Sequence, residues 1–384
     1  MEKHDNVFIK KQNKKWVLDI IKNNRPISRA EVSKITDMSP TSISRIVQEL
    51  EQDGFIKESD LISNGVGRKA TLLDVRPDAN FSIGVELTEK HFKIGILNFL
   101  DEMTFSQTFP VEDVEDYMKT LNDGSRLIKR IINEQEIPME KIVGIAIGVP
   151  GFIDYENGVV AHSTQLKWNN VPIVEIIESA TSLKAIVDND LKMKAMAEYT
   201  AGAAKSSKSS VLIGIGSGIG SAIIMNGEFY RGENNIAGEI SHTVVDINGN
   251  LCRCGKFGCL ATVLTESSIL QQARKIKEVS SLKQLLDYYN SGETWAINII
   301  DRVTTYIVTT ITNILYIYNP EVLVLSGFIL EDFPEIQALI KKKYKLYLTE
   351  PFKTHSRIVF AELKDHGIVK GAGIQAQKVL FRLQ

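Results

Sequence analysis

Two patterns of apolar residues divide the chain near residue 77. Before that point, apolar residues recur every three or four positions, which is the spacing of one helix face. After it, short apolar runs alternate with helical patterns and glycine-rich turns, which predicts an α/β region. We therefore expect a small helical domain followed by a larger α/β part. The clearest helical stripe consists of Ile43, Ile46, Val47 and Leu50.

The N-terminal pattern predicts three successive helices. The first has an apolar stripe within Trp16–Ile21. Ser28 and Glu31 have the spacing of a capping box, which opens a second, short helix. Ser39 and Pro40 suit the cap and the first position of a third helix. This order is typical of a helix-turn-helix, whose last helix lies in the major groove of DNA.

The exposed face of the third helix, residues 40–52, has side chains suited to DNA. Short hydroxyls, an amide and an arginine can bond base edges or phosphates. Two strands are predicted at 55–58 and 70–75, and the loop between them has two glycines and two cations, as a wing over DNA would. A small helical interaction domain is the alternative interpretation. The predicted DNA contacts are Thr41, Ser42, Ser44, Arg45, Gln48, Arg68 and Lys69.

Composition limits the class of protein without identifying it. The 384 residues include 45 basic and 47 acidic side chains, so the chain as a whole is not a polycation. A 43% apolar content at this length suits two or three packed domains. No apolar run is long enough to span a membrane, and the N-terminus lacks the apolar core of a signal peptide. These features predict a cytoplasmic protein without a membrane partner.

The three cysteines of the chain are Cys252, Cys254 and Cys259, and His242 lies ten residues before the first of them. A disulfide would leave one cysteine unpaired and does not suit a reducing compartment. Thiolate and imidazole are typical ligands of tetrahedral zinc, so we predict a structural Zn²⁺ bound by these four residues. The alternative is a cluster of small core cysteines beside a surface histidine.

Several motifs of the α/β part together resemble the ROK family, which groups bacterial sugar kinases with sugar-responsive repressors such as the xylose repressor. The matching segments cover nearly all of the chain after residue 78, and the zinc motif with its upstream E-x-x-H is the most specific. The winged helix resembles the repressor branch, because the kinases lack that domain. The segments are GIAIGVPGFID (144–154), DND (188–190), GIGSGIG (214–220), AGEISH (237–242), CRCGKFGC (252–259) and NPEVLVLSG (319–327).

The resemblance implies an α/β fold with a winged helix-turn-helix before a two-lobed ROK module of the actin/hexokinase-like ATPase type, with a structural zinc site. The expected domains are 1–77 for DNA binding, 78–198 for the first lobe with 367–384 completing it, and 199–366 for the second lobe with the zinc loop and a dimerisation surface. Zinc at His242 would hold Glu239 in the cleft, although Glu239 could instead be a solvent-facing carboxylate. The implied sugar contacts are Gly151, Asn189, Asp190, Glu239 and His242.

The same resemblance argues against phosphoryl transfer, so no catalytic residue is predicted. The kinases have D-x-G-G-T after the first strand, and this chain has Glu86-Leu87-Thr88-Glu89-Lys90 there. Both glycines are missing, and Glu89 would repel a phosphate. Asp190 matches the catalytic base of the kinases, and we interpret it as a sugar contact.

Two further substitutions bear on the effector. Ala261 stands where the family has a glutamate after the last cysteine, which removes a hydrogen-bond acceptor for sugar hydroxyls. Lys192 replaces an asparagine of the kinases, and it could favour a phosphorylated or acidic sugar or be a solvated helix lysine.

We predict a homodimeric or tetrameric repressor of carbohydrate-utilisation genes, whose operator binding responds to a sugar or sugar phosphate. A sugar kinase with an added DNA-binding domain is one alternative. A ligand-independent DNA-binding protein with a degenerate sugar pocket is the other.

Overall fold

The computed structural model describes residues 2–59 and 71–381. Its N-terminal elements are α1 (Glu2–Asn24), β1 (Ile27–Ser28), α2 (Arg29–Thr36), α3 (Pro40–Gln52), β2 (Ile56–Ser59) and β3 (Leu72–Val75). The strands form an antiparallel sheet in which β3 lies between β1 and β2. Three helices and this sheet make a winged helix-turn-helix, as predicted. The predicted wing loop between β2 and β3 lies outside the described residues.

Side-chain caps begin both helices of the helix-turn-helix. Ser28 accepts the backbone N–H of Glu31, and the Glu31 carboxylate accepts the N–H of Ser28 at 2.9 Å, which completes the predicted capping box. Ser39 accepts the N–H of Ser42 at 3.2 Å, and Pro40 takes the first position of α3. These bonds satisfy donors that a helix leaves free at its first turn.

The apolar stripe of α3 lies at the centre of this domain's core. Val17, Leu18 and Ile21 of α1 pack against it. Trp16, expected within the buried stripe, is 45% exposed. The reason is helical geometry. Leu18 and Ile21 are three residues apart and therefore lie on the same face of the helix, whereas Trp16 lies beside that face. The four predicted residues of α3 are at most 2% exposed: Ile43, Ile46, Val47 and Leu50.

The first lobe is built on a five-stranded sheet. Its elements are β4 (Phe81–Leu87), β5 (His91–Asn98), β6 (Met103–Pro110), α4 (Tyr117–Glu134), β7 (Ile142–Val149), β8 (Phe152–Asp154), β9 (Val159–Ser163), β10 (Trp168–Val171), α5 (Ile173–Thr181), β11 (Ala185–Asn189) and α6 (Asp190–Ala201). The strand order is β11-β7-β4-β5-β6, with the first three parallel and the last two antiparallel. A small antiparallel sheet, β10-β9-β8, follows β7.

The second lobe repeats this sheet plan. Its elements are β12 (Ser209–Ile215), β13 (Ile219–Met225), β14 (Glu228–Phe229), α7 (Ala261–Leu264), α8 (Glu266–Arg274), α9 (Leu282–Asn290), α10 (Thr294–Tyr318), β15 (Val322–Ser326), α11 (Phe328–Glu331), α12 (Pro334–Tyr347), α13 (Phe352–His355) and β16 (Arg357–Phe360). The last helix, α14 (Gly367–Leu380), follows β16 in the chain. The order β16-β15-β12-β13-β14 again has three parallel strands followed by two antiparallel ones.

α14 returns from the second lobe and packs on the first sheet. It lies against β4, β5 and β7, and its other neighbour is α6. Two glycines permit the close approach. A Cβ at Gly84 in β4 would overlap the carbonyl oxygen of Val369, and a Cβ at Gly371 would overlap the carbonyl oxygen of Met193 in α6. Because backbone atoms cannot give way, larger residues at these positions would separate the elements.

An aromatic junction, made of Phe55, Phe99 and Phe381, joins the N-terminal domain to the first lobe. Phe55 follows α3, Phe99 lies between β5 and β6, and Phe381 follows α14; their ring centroids are 5.4–5.6 Å apart. Phe99 is only 2% exposed. Lys22 of α1 contacts the same place, since its Nζ lies 2.9 Å from Asp101 Oδ2. Both apolar contact and an ion pair therefore hold the DNA-binding domain against the first lobe.

α10 is the longest apolar helix of the second lobe. Three buried threonines interrupt its apolar surface, and their hydroxyls donate to carbonyls one turn earlier: Thr304, Thr310 and Thr312.

Among the helices of the described residues, none is long and apolar enough to cross a lipid bilayer.

Phe99→Ala should loosen the N-terminal domain. Truncating a buried phenylalanine costs about 3–5 kcal/mol because it removes apolar contact and leaves a cavity. Differential scanning calorimetry should show the N-terminal domain unfolding before the ROK module. Phe99→Leu, which keeps most of the apolar volume, should have a much smaller effect. A variant Phe99→Ala that melts like the wild type would contradict the role of the aromatic junction.

Candidate ligand cleft, metal centre and DNA-binding face

Parallel pairing of β7 and β11 brings their carboxyl ends together. Gly151 lies just beyond β7, and Asn189 ends β11 and caps α6. The Asn189 side chain accepts the N–H of Leu191 at 3.0 Å and donates from Nδ2 to the Gly151 carbonyl at 3.2 Å. The crevice outside the carboxyl ends of parallel strands is the usual ligand site of α/β sheets. Two predicted sugar contacts therefore meet where a ligand is expected.

Asp190, the first residue of α6, is half-buried at the same edge. Burial raises the pKa of its carboxyl to about 6, the N–H of Leu191 opposes this, and the charge of Glu86 adds to it. Lys194, one helical turn further, lowers the pKa by its positive charge. A carboxyl with this pKa is ionised above neutrality and then accepts hydrogen bonds from hydroxyl groups.

Glu239 precedes a short 3-10 turn that ends at His242. The segment is tied to β13, because the Ser221 hydroxyl donates to the carbonyl of Gly238 at 2.9 Å. Glu239 is exposed to solvent, yet partial desolvation raises the pKa of its carboxyl, while Lys192 of α6 opposes that shift. Lys192 Nζ also donates to the carbonyl of Asn235, four residues before Glu239, so α6 lies close to this segment.

An interlobe network, formed by Asp188, Lys192, Arg231 and Asn235, lies beside these residues. Asp188 is fully buried and accepts Arg231 Nη1 at 2.5 Å. Asn235 Nδ2 donates to Asp188 Oδ1 at 3.2 Å and to the Ile153 carbonyl at 3.0 Å. Lys192 Nζ donates to the Asn235 carbonyl at 2.6 Å. The network joins a loop of the second lobe to strands of the first.

Lys192 differs from both sequence interpretations. It is 4% exposed, so it is not a solvated lysine, and its ammonium group is held by acceptors of the chain itself. Burial lowers the pKa of Lys192, and the charge of Asp188 opposes the shift. Sequence reasoning missed Arg231 and Asn235, because their loop has no motif of its own. Their only signal is that they lie just before AGEISH.

The four predicted metal ligands come together. Their ligand atoms all lie within 4.8 Å of one another. Cys254 Sγ is 3.6 Å from Cys259 Sγ, and His242 Nδ1 is 3.7 Å from Cys252 Sγ. Zinc bonds of about 2.0–2.3 Å at tetrahedral angles separate ligand atoms by about 3.5–3.8 Å. The side chains therefore fit a tetrahedral metal ion that uses Nδ1 of the histidine.

Backbone hydrogen bonds fold the cysteine loop into this shape. The N–H of Cys252 donates to the Lys256 carbonyl at 2.8 Å, and the N–H of Gly255 donates to the Cys252 carbonyl at 2.9 Å. Gly258 has a φ of 71°, and a Cβ there would overlap the Asp246 carbonyl oxygen. Glycine is thus required both by the backbone conformation and by the close approach.

Burial disfavours the thiolate form of Cys259 when no cation is bound. Burial raises the pKa of Cys259 to about 12, and hydrogen bonds with Cys254 and Cys252 raise it further. A metal ion removes this penalty because it binds the thiolate form. Three thiolates and one imidazole are a donor set that suits Zn²⁺.

The face of α3 opposite its core stripe is open to solvent. Ser42 is only half-buried there, and its hydroxyl accepts from the Ser39 hydroxyl at 2.9 Å, so it forms part of the helix cap. The predicted wing contacts Arg68 and Lys69 lie outside the described residues. The exposed predicted contacts are Thr41, Ser44, Arg45 and Gln48.

A winged helix-turn-helix followed by two lobes with matching sheets and a His/Cys₃ loop defines a regulator-type architecture on a sugar-kinase-like fold. Two family models agree with this division. The winged helix-turn-helix DNA-binding model matches residues 12–57. The ROK family model matches residues 82–379, and the chain therefore belongs to the ROK family.

Full-length relatives share both parts. The chain is 27% identical to the xylose repressor of Caldicellulosiruptor bescii over 391 residues, covering 96% of each chain. It is also 27% identical to the DNA-binding transcriptional dual regulator NagC of Escherichia coli K12 over 377 residues, covering 95% of this chain and 92% of the relative.

Solved structures show the same fold. A ROK family transcriptional regulator, described as a homologue of the E. coli Mlc protein, superposes with a TM-score of 0.82 at 24% identity over 96% of both chains. The ROK hexokinase of Thermus thermophilus superposes with a TM-score of 0.68 at 23% identity and covers 78% of this chain and 98% of its own.

Cys254→Ser should reduce bound metal and stability together, because it removes one of four ligands from a closed site. We expect loss of most zinc by elemental analysis and a Tm lower by about 5 °C or more, given about 2–4 °C per kcal/mol in a domain of this size. Arg253→Ala changes an exposed neighbour in the same loop and serves as control. Unchanged zinc content in the Cys254→Ser variant would contradict the assignment of Cys254 as a metal ligand.

Proposed function

We propose that this protein is a sequence-specific DNA-binding transcriptional repressor of carbohydrate-utilisation genes, controlled by a sugar or sugar derivative bound between the lobes. The observation that carries the proposal is the match of both parts of the chain to full-length relatives that are named as transcriptional regulators. The Thermus hexokinase, by contrast, corresponds to 78% of this chain.

Operator DNA is the proposed partner of α3. An α-helix fits the major groove, where arginine and glutamine can make paired hydrogen bonds to guanine and adenine edges. Arg45 and Gln48 are the proposed base contacts, because both are exposed and lie opposite the core stripe. Thr41, Ser42 and Ser44 would bond phosphates or base edges near the start of the helix. Arg68 and Lys69 are the proposed wing contacts.

A carbohydrate is the proposed effector. Asn189, Asp190 and Glu239 offer amide and carboxylate groups for hydroxyls, and the Gly151 backbone borders them. His242 directs Nδ1 toward the cysteines, which leaves Nε2 on the far side of the ring for a ligand. A structural Zn²⁺ on His242, Cys252, Cys254 and Cys259 would fix the orientation of that ring and of the segment that begins at Glu239.

The proposed domain limits are 1–77, 78–198 completed by 367–384, and 199–366. The packing of α14 on the first sheet supports assigning the C-terminal segment to the first lobe. A homodimer or tetramer is the proposed functional unit, because two winged helices would read two operator half-sites spaced by helical turns. DNA as partner implies a cytoplasmic location.

We propose that the protein does not transfer phosphate. Glu86 is the penultimate residue of β4, the first strand of the ROK module, and its charge raises the pKa of Asp190. Its carboxylate lies 3.4 Å from His91 Nε2. A carboxylate at this position, with Glu89 after it and neither kinase glycine present, would repel a nucleotide phosphate.

Effector binding and DNA binding are coupled through linkage in this proposal. A sugar shifts DNA affinity only if it binds two arrangements of the protein with different affinity. α6 begins at Asp190 and packs along α14, and α14 leads to Phe381 in the aromatic junction. Movement at the edge of the cleft would therefore be transmitted to the DNA-binding domain through the packed helices α6 and α14.

Arg45→Ala should weaken operator binding by about 5- to 150-fold, since one well-formed base contact contributes about 1–3 kcal/mol. A gel shift with DNA from upstream of the protein's own gene would measure it. Arg126→Ala removes an exposed cation of the ROK module and should leave binding unchanged. Thermal stability should be unaffected, because Arg45 is exposed. Normal operator affinity in the Arg45→Ala variant would show that Arg45 is not part of the DNA interface.

Asp190→Asn should leave operator binding intact and abolish the response to the effector, because an amide cannot replace both acceptor oxygens. Gel shifts with a panel of sugars would test it, with the exposed variant Asp332→Asn as control. A variant that still responds normally would exclude Asp190 from the site. Operator binding by the wild type that is indifferent to every sugar would instead favour a degenerate pocket, in keeping with Ala261.

A further inference from the structure

A second polar cluster borders the cleft and has no part in the contacts described so far. The Glu331 carboxylate, in α11, accepts Lys194 Nζ at 2.7 Å, the Ser326 hydroxyl at 2.8 Å and the N–H of Gly327 at 2.8 Å. The side chains of Lys194 and Glu331 are 10% and 7% exposed. This anion site, defined as Lys194 Nζ, Ser326 Oγ and Gly327 N, is filled by a carboxylate of the chain itself.

The location of the anion site is where a phosphate would be expected. Ser326 ends β15, a strand in the parallel part of the second sheet, and Gly327 follows it. Ligand phosphates bind to backbone N–H groups and cations beyond the carboxyl ends of such strands. Lys194 also links this place to the cleft, because it lies one helical turn after Asp190 on α6.

The surroundings of Glu331 stabilise its ionised carboxylate. Burial alone would raise the pKa of its carboxyl, but the hydrogen bond and charge of Lys194, with the Gly327 N–H and the Ser326 hydroxyl, hold the pKa below its usual range. The carboxylate is therefore ionised at neutral pH. An incoming phosphate would have to displace it and would meet its repulsion.

Three other cations near the cleft, Lys192, Arg231 and Lys93, are also held by acceptors of the chain. Lys192 and Arg231 are held in the interlobe network. Lys93 Nζ donates to the Asp365 carbonyl at 2.5 Å. The groups with unfilled hydrogen-bonding capacity include the carboxylates of Asp190 and Glu239, which accept bonds from hydroxyls and repel anions.

We propose that Glu331 is an internal substitute for a bound phosphate, and that the cleft therefore takes an uncharged carbohydrate and excludes its phosphate esters and nucleotides. The carbohydrate part of this statement rests on the proposed function. The occupied anion site is independent of it. The ion pair also connects α6 to the second lobe without any nucleotide.

The first test compares ligands on the full-length wild-type protein by isothermal titration calorimetry. The probes are xylose, glucose and N-acetylglucosamine, the phosphate ester of each, a non-hydrolysable ATP analogue and orthophosphate. We expect at least one unmodified sugar to bind at least tenfold more tightly than its phosphate ester, with no binding of the nucleotide. A phosphate ester or nucleotide that binds as tightly as the best sugar overturns the proposal. The absence of binding by every sugar overturns the effector class.

The second test removes the internal carboxylate. Glu331→Ala should gain orthophosphate binding at least tenfold over the wild type, because three donors then lack an acceptor. The double variant Glu331→Ala/Lys194→Met should lose that gain, and Asp332→Ala, an exposed neighbour, should behave as the wild type. A folded Glu331→Ala that gains no phosphate affinity overturns the anion-site assignment. If this variant does not fold, the wild-type comparison still decides the proposal.

Operator binding by the same preparations separates this inference from the proposed function. Failure to bind DNA would contradict the repressor proposal and leave the phosphate measurements interpretable. Normal DNA binding together with tight binding of a sugar phosphate would keep the repressor proposal and overturn the role of Glu331.

Discussion

The contact of α14 with the first sheet and with α6 is the constraint on which the rest of the structure depends. Gly84 and Gly371 let backbones meet where any side chain would overlap a carbonyl oxygen. Such contacts leave no free space between the backbones, so we expect these elements to move as one packed unit. One end of this assembly carries Asp190 at the cleft, and the other carries Phe381 against the DNA-binding domain. The edge of the cleft and the N-terminal domain are therefore joined through one closely packed set of helices.

Polar groups at the cleft follow from the cost of burying charge. Asp188, Lys192 and Arg231 are each paired, and so are Lys194 and Glu331, because an isolated buried charge is expensive. Two of these pairs, Asp188–Arg231 and Lys194–Glu331, cross from one lobe to the other. Internal ion pairs therefore hold part of the surface between the two lobes.

The metal loop and the cleft form one structural unit. His242 lies between them: its Nδ1 faces the cysteines, and its backbone follows Glu239 by three residues. A metal ion bound at this loop would add to the backbone hydrogen bonds that fold it, in a segment where several apolar side chains are exposed, among them Ile247 and Phe257. Such an ion would explain why the three cysteines of the chain lie in one short segment.

Local patterns in the sequence were sufficient for the helix-turn-helix, several strands of the first lobe and the clustering of His242 with the three cysteines, because caps, apolar periodicity and cysteine spacing act over a few residues. The capping box at Ser28 and the convergence of Cys252, Cys254 and Cys259 with His242 are examples. The environment of Lys192, the interlobe network and the anion site at Glu331 depended on tertiary structure. Their partners lie 43 and 137 residues apart along the chain, and no local pattern records which distant charges a fold will bring into contact.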